Sequence, residues 1–280
     1  DPYCCFPNRL EDITVLQLAA KLQPELPKAY YYIGNLWYDK RQYEKAQEAW
    51  ETSAKLDDTY PTVLRNLSLV YYNQSDMPEK AKEVLEKAFA LDTADARIFL
   101  ELDQLYKKLG YSVEERIAFY EKYPETFAKR DDVFIEYITM QNFVGNHEKA
   151  YELLMSRKFH PWEGGEGKAT TQYTTSLVEQ AKKAIAKEDF TGAKELLEKA
   201  LVYPENLGEG KLEGTKDNHI HYYLGLVEKA LGNEDRAKEL FATASTGTDE
   251  PAGMMFYNDQ PADMIMFQGM ALRELGAQVA

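Results

Sequence analysis

Cysteine is almost missing. The chain of 280 residues holds two, Cys4 and Cys5, side by side. Neighbouring residues are poorly placed for an unstrained disulfide, so no disulfide framework holds this chain together. Without a C-x-x-C spacing there is no zinc or redox motif either. Long apolar runs are also lacking: none approaches the roughly 18 residues that span a bilayer, and no signal peptide is visible. Basic residues are in deficit, 33 against 47 acidic, for a net charge of −14. A field of that sign repels phosphate backbones and anionic lipid, which sets nucleic acid and membrane surfaces aside as partners. Glycine and proline are sparse, 16 and 11. They punctuate helix-like segments, and no stretch alternates with period two for long, which argues against strands. A soluble protein follows, with the cytoplasm the favoured compartment, no cofactor and no bound metal.

What is present is a repeat. Hydrophobic residues make up 44% and aromatics 12%, with 20 tyrosines, a residue suited to half-buried helix faces and contact surfaces. The clearest unit runs from Pro27 to Asp58. It reads Tyr30-x-x-Ile33-Gly34-x-x-Trp37, then Tyr43, Ala46, Trp50, Ser53 and Leu56. Small residues at Gly34 and Ala46 let two antiparallel helices approach closely, and Tyr30, Trp37 and Trp50 fill the space around the crossing. This pattern resembles the tetratricopeptide repeat. The resemblance implies stacked helical hairpins and a surface that binds other polypeptides.

Leu67, Ser68 and Tyr71 repeat the first-helix signature, Ser68 falling 34 residues after Gly34. Ala81, Leu85, Ala88 and Leu91 carry the second helix. Two weaker units follow around Phe99–Tyr106 and Phe134–Ile138, where the small position holds Asp103 and Ile138. The pattern returns with Ala181, Gly225 and Gly269, spaced 44 residues from one to the next, and the added residues are assigned to the connectors. Leu16, Ala19 and Leu22 read as a second-type helix without its first. The expected fold is all-α, a right-handed superhelical solenoid of about six full hairpins with a half repeat at each end. The expected divisions are a cap at 1–26, regular repeats at 27–130, divergent repeats at 131–250 and a capping segment at 251–280. A missing first partner further suggests a piece of a longer protein.

The long connectors are the informative part. His160-Pro161-Trp162-Glu163-Gly164-Gly165-Glu166-Gly167-Lys168 and Glu205-Asn206-Leu207-Gly208-Glu209-Gly210-Lys211 both contain Gly-Glu-Gly-Lys, at 165 and 208, 43 residues apart. An offset of one repeat predicts that they occupy the same place in successive hairpins, side by side on one edge. One reading is structural, with glycines supplying positive φ. The other is an edge that contacts a ligand or domain through His160, Trp162, Glu163, Glu166, Lys168, Glu209, Lys211, His219, His221 and Asp259. A phosphate-binding loop is ruled out: Trp162 and Glu205 stand where glycine is needed, and Ala169 and Leu212 follow the lysines. Asp217 or Asn218 is expected to cap the next helix. His219 and His221, two apart on it, face differently, which disfavours a metal site. His219 then lies on a solvated first turn, and His221 is partly buried. A third connector, Met254–Pro261, ends in the turn chemistry Asn-Asp-Gln-Pro.

His-Pro-Trp-Glu-Gly-Gly-Glu-Gly-Lys, Glu-Asn-Leu-Gly-Glu-Gly-Lys, Asp-Asn-His-Ile-His-Tyr-Tyr-Leu-Gly and Tyr-Asn-Asp-Gln-Pro resemble the repeat region of large bacterial proteins. Those proteins carry an N-terminal domain of unknown function thought to be carbohydrate-related. The resemblance implies that this chain is the C-terminal part of such a protein, and it links the chain to glycans by association only.

Three functions remain. The first is a binding module whose concave face, built from first helices, includes Tyr31, Asn35, Tyr38, Arg65 and Tyr72. The second is glycan handling by the loop edge, with Glu163, Glu166, Glu209 and Asp259 as the carboxylates a glycosidase needs in pairs. The third is a support that docks on a neighbouring domain. The chain alone is read as non-catalytic. Its expected partner is a protein (its own N-terminal domain or another chain), with an oligosaccharide as the alternative.

Overall fold

The computed structural model describes residues 7–250, 252–253 and 259–277. Cys4 and Cys5, and Met254–Asn258 of the third connector, lie outside the described residues. Those described form fifteen α-helices and no strand. α1 (Asp12–Leu22) is a second-type helix that packs on the first helix of the next hairpin. Six hairpins follow: α2 (Pro27–Asp39) with α3 (Tyr43–Leu56), α4 (Pro61–Asn73) with α5 (Pro78–Leu91), and α6 (Ala96–Lys108) with α7 (Val113–Glu121) and the single turn α8 (Pro124–Phe127). Then come α9 (Asp131–Phe143) with α10 (His147–Met155), α11 (Lys168–Ala186) with α12 (Phe190–Ala200), and α13 (Asn218–Ala230) with α14 (Glu234–Ala244). α15 (Ala262–Glu274) is a first-type helix. This is the expected helical-repeat fold, six hairpins between two halves. It divides into two compact units, one up to Val133 and one from Phe134.

In the first unit the helix starts are written locally. Pro27, Pro61 and Pro78 open α2, α4 and α5, where a missing N–H costs nothing and φ is already helical. Ser112 and Glu115 form a reciprocal capping box at α7. Hairpin closeness comes from size matching. Gly34 lies directly under the Trp50 indole, leaving no room for a Cβ. The indole N–H donates to the Tyr31 carbonyl at 3.2 Å. Ser68 and Leu85, both buried, take the same two places in the next hairpin.

The third hairpin breaks the pattern with a charge. Asp103 occupies the small position, and Arg116 and Tyr120 occupy the places of Ala46 and Trp50. The Arg116 guanidinium donates twice to the Asp103 carboxylate, at 2.8 Å each, and the Tyr120 hydroxyl donates at 3.0 Å. The pair is almost fully buried, at 1% and 4% exposure. Removing one partner from such a pair strands a buried charge, so this crossing is specific although the repeat signature is lost.

In the second unit the corresponding register positions hold Ile138 and Leu154, Ala181 and Leu197, and Gly225 and Phe241; five of these six are buried hydrophobics, and Gly225 carries the Phe241 ring on its backbone. A residue in the left-handed region follows seven positions after the small position in most hairpins: Arg41, Gly110, Gly145, Glu188, Gly232 and, after α15, Gly276. That marker fixes the register even where the small residue is absent. The longer period lies in the connectors, as expected: residues 201–217 separate α12 from α13 and 245–261 separate α14 from α15, where only 57–60 separate α3 from α4. α11 is also longer than α13, but its added residues precede Ala181.

Gly225→Leu is expected to destabilise the chain by roughly 1–3 kcal/mol, since a Cβ would come within 2.5 Å of the Phe241 ring. Adding Phe241→Leu should recover part of the loss by removing the ring that the new side chain meets. Denaturant midpoints read both, and an unchanged midpoint for the single variant contradicts the register.

Candidate functional site: a cleft in the second unit

The two Gly-Glu-Gly-Lys connectors do meet, but not as equivalents. In the first, Gly167 is the N-cap of α11 and Lys168 its first residue. In the second, the motif is extended and ends well before α13, after the short 3-10 turn Glu205–Leu207. Stitching is direct. The Phe159 N–H donates to the Asn206 carbonyl at 2.7 Å. The Asn206 amide donates to the carbonyls of Leu154 and Arg157, at 2.9 Å each. Gly208, at φ 78°, lies so close that a Cβ would sit 2.6 Å from the Phe159 carbonyl oxygen. The Glu209 carboxylate accepts from the Gly167 N–H at 2.9 and 3.1 Å, an anion at a helix N-terminus. The Lys211 ammonium donates to the Leu201 carbonyl at 2.9 Å, pairs with Asp217 at 2.6 Å and lies over the Tyr203 ring. Glu209 and Lys211 thus hold the edge together, where the structural reading of the sequence expected them only to solvate it.

What they hold is a cleft of about 680 Å³, within the size range of ligand pockets. Its floor is one face of α11: Thr171, Thr175, Val178, Glu179 and Lys182, spaced as one helical stripe. The second connector forms one wall, with Tyr203, Glu209, Leu212 and Lys216. Another wall comes from the first two turns of α13 and α15, with His219, Tyr223, Asp263, Met264 and Phe267.

His219 is not on a solvated turn. Its ring packs 5.8 Å from the Phe267 ring, and its Nδ1 is buried with no hydrogen-bond partner. Burial holds its pKa below the usual 6.5, against the opposing carboxylates of Asp217 and Asp263. His221 and His147 are lowered as well, again chiefly by burial. The helix cap differs from expectation too. Asp217 is the N-cap residue but makes no side-chain cap bond, because its carboxylate is turned to Lys211. Asn218 is a core strut instead, donating to the carbonyls of Ala244 and Thr246 at 2.8 and 2.7 Å.

Of the loop-edge residues expected from sequence, Glu166, Lys168, Glu209, His219 and Asp259 line the cleft. Lys211 and half-buried His221 sit behind it. Trp162 packs its indole on Gly165, which leaves no space for a Cβ there. His160 and Glu163 are on the exposed outer part of the connector. The stripe of α11, with Tyr223 and Phe267, was missed. Its one sequence signal is Thr171-x-x-x-Thr175, off the register of the buried positions.

The groove residues of the first unit are largely engaged with each other. Tyr31 is core, 1% exposed, with its ring edge-on to Tyr60; it does not reach the concave face. Asn35 accepts from the Trp50 indole at 3.0 Å and from the Asn66 amide at 3.1 Å. Arg65 grips both oxygens of Glu101, so it is committed and does not present a clamp for a free carboxylate. Tyr38 packs on Tyr43 and Trp50, and Tyr72 lies under the Lys108 ammonium.

A histidine pKa lowered in the folded state means that the unfolded state binds the proton more tightly. Stability is then fully present above about 6.5 and is lost as pH falls through that value. The unfolding free energy should therefore decrease between pH 7 and 5.5, and His219→Gln should flatten that slope. A free energy that rises on acidification over this interval contradicts the burial of these rings.

Among the described residues no helix is long and apolar enough to cross a membrane. Residues 27–60 match the sequence profile of the tetratricopeptide repeat family. Among solved structures, the C-terminal part of a TPR repeat-containing protein from Cytophaga hutchinsonii aligns over 84% of this chain and 88% of its own, at 16% identity and TM-score 0.53. The structure of Naa15/Naa10 bound to HypK-THB aligns over 93% of this chain and 36% of its own, at 13% identity and TM-score 0.50. YrrB, a TPR protein with an unusual peptide-binding site, aligns over 95% of this chain and 100% of its own, at 14% identity and TM-score 0.43. At such identities the likeness is one of fold. The chain carries a tetratricopeptide repeat at 27–60 and continues as helical hairpins of the same architecture.

Proposed function

We propose that this chain is a non-catalytic binding module that takes a segment of another polypeptide into the cleft of its second unit. The observation that carries this reading is the cleft itself. Its floor is a first-type helix, as is the concave face of helical repeats that bind polypeptides. One wall is a connector fixed by hydrogen bonds and the other is helical, so the surface is formed before anything binds. A structural neighbour, Naa15/Naa10, is bound to HypK-THB, in keeping with a protein partner. The connector phrases that resemble large bacterial proteins with a carbohydrate-related domain favour a domain of such a protein as the source of the segment.

Catalysis by paired carboxylates has less support. Glu209 is committed to the Gly167 amide and Glu163 lies outside the lining, which leaves Glu166 and Asp259 from the candidate set.

Filling the cleft tests the reading. Thr175→Trp adds a large ring to the middle of the α11 stripe at a position that is not fully buried. On an array of random dodecapeptides it should lose most of the capture shown by the native chain, with helical signal and melting nearly unchanged. Capture of oligosaccharides and not of peptides by the native chain would overturn the proposal.

A further inference from the structure

The cleft is polar, charged and unevenly so. Its lining holds six carboxylates, from Glu166, Glu179, Glu209, Asp217, Asp259 and Asp263, against three ammonium groups, from Lys168, Lys182 and Lys216. Some of these are engaged locally: Lys182 pairs with Glu179 at 2.7 Å, Asp217 with Lys211 at 2.6 Å, and Glu209 with the Gly167 amide. The excess of negative charge remains, within a chain whose net charge is −14. A low-dielectric concavity of one sign focuses that field on whatever enters it.

The α13–α15 wall adds a second feature. His219, Tyr223 and Phe267 form an aromatic corner. The Phe267 ring lies 5.8 Å from both His219 and Tyr223, inclined 48° and 64° to them. Met264 backs the corner and Asp263 stands one turn before Phe267 on α15. His219 is kept neutral by burial, so the corner itself carries no positive charge. Rings next to carboxylates in a partly dry site suit a flat cation: the guanidinium stacks on a ring face while its edge donates to the carboxylate. Elsewhere this protein uses the same pairing within itself, seating Arg157 over Phe134 and Lys108 over Tyr72.

We infer that the segment taken by the cleft is basic, and that an arginine or lysine side chain of the partner enters the corner of His219, Tyr223 and Phe267 beside Asp263 and Asp259. This rests on the polypeptide-binding reading above and names the chemistry of the partner. Arginine is the better fit, since lysine keeps the charge but not the planar stack. The cations near the entering group are Lys168, Lys182 and Lys216 of the lining and Lys211 behind it. Lys182 is paired with Glu179 and Lys211 with Asp217, while Lys168 opens α11 and Lys216 lies on the connector wall.

The test uses the full chain on a positional-scanning array of dodecapeptides, with one position fixed as each amino acid in turn and the others randomised. The strongest dodecapeptide is then measured in solution by fluorescence anisotropy, beside the same peptide with arginine replaced by citrulline. Fixed arginine is expected to give the strongest capture, lysine less, and aspartate or glutamate the weakest. Citrulline should weaken binding about tenfold, and so should Asp263→Asn with the arginine peptide, because each removes one member of the same charge pair. The citrulline arm leaves the protein untouched, so a folding defect cannot produce it. Peptides captured equally whatever the fixed charge, or a citrulline peptide that binds as well, would overturn the inference and leave the polypeptide-binding reading standing. No capture of any peptide by the folded chain would remove both.

Discussion

The close crossing of two helices within each hairpin is the constraint on which the rest depends. Two helices approach when a small residue on one faces a fitted partner on the other, and the chain solves this in several ways. Gly34 takes the Trp50 ring and Gly225 the Phe241 ring. Where the first position is not small, the hairpin finds another solution, as in the buried Asp103–Arg116 pair with Tyr120. Because each crossing is fixed, each first-type helix presents the opposite face at a set angle. In the second unit that face becomes the floor of the cleft.

The cleft follows from a departure from regularity. α11 begins early, and its longer first half lays Thr171 and Thr175 beside the second connector. That connector cannot continue as helix, so it folds back on the first through Asn206, Gly208 and Glu209. The same four-residue phrase therefore does two jobs. In one place its Gly-Lys opens a helix, and in the other its Glu caps that helix from outside. The field inside the cleft then comes from carboxylates of three connectors and of α11 and α15 brought to one concavity, with His219 held neutral among them by burial.

The hairpin count and register were legible in the sequence because size matching repeats at fixed spacing. Even Asp103 and Ile138 could be placed, since Gly110 and Gly145 follow at the distance that Gly232 keeps from Gly225. The edge was legible in part. Repeated Gly-Glu-Gly-Lys marked two connectors that meet, and five of the ten marked residues line the cleft. The sequence did not reveal that Glu209 and Lys211 would be spent on the fold, since Glu209 takes a backbone amide and Lys211 a backbone carbonyl besides Asp217, and backbone partners carry no sequence signature. Tyr31 was misplaced by one position around the helix: Tyr32, beside it, is only half-buried, and two adjacent tyrosines read alike in a pattern. Phe267 and Tyr223 escaped notice because rings on a first-type helix look like ordinary core.

Hydrogen exchange with the bound dodecapeptide tests the central claim most directly. Local protection reports where backbone opening is suppressed, so it maps the contact without altering any residue. The account predicts added protection in α11, in the second connector and in the first turns of α13 and α15, with the first unit unchanged. Protection confined to the first unit, around Asn35, Arg65 and Tyr72, would contradict it.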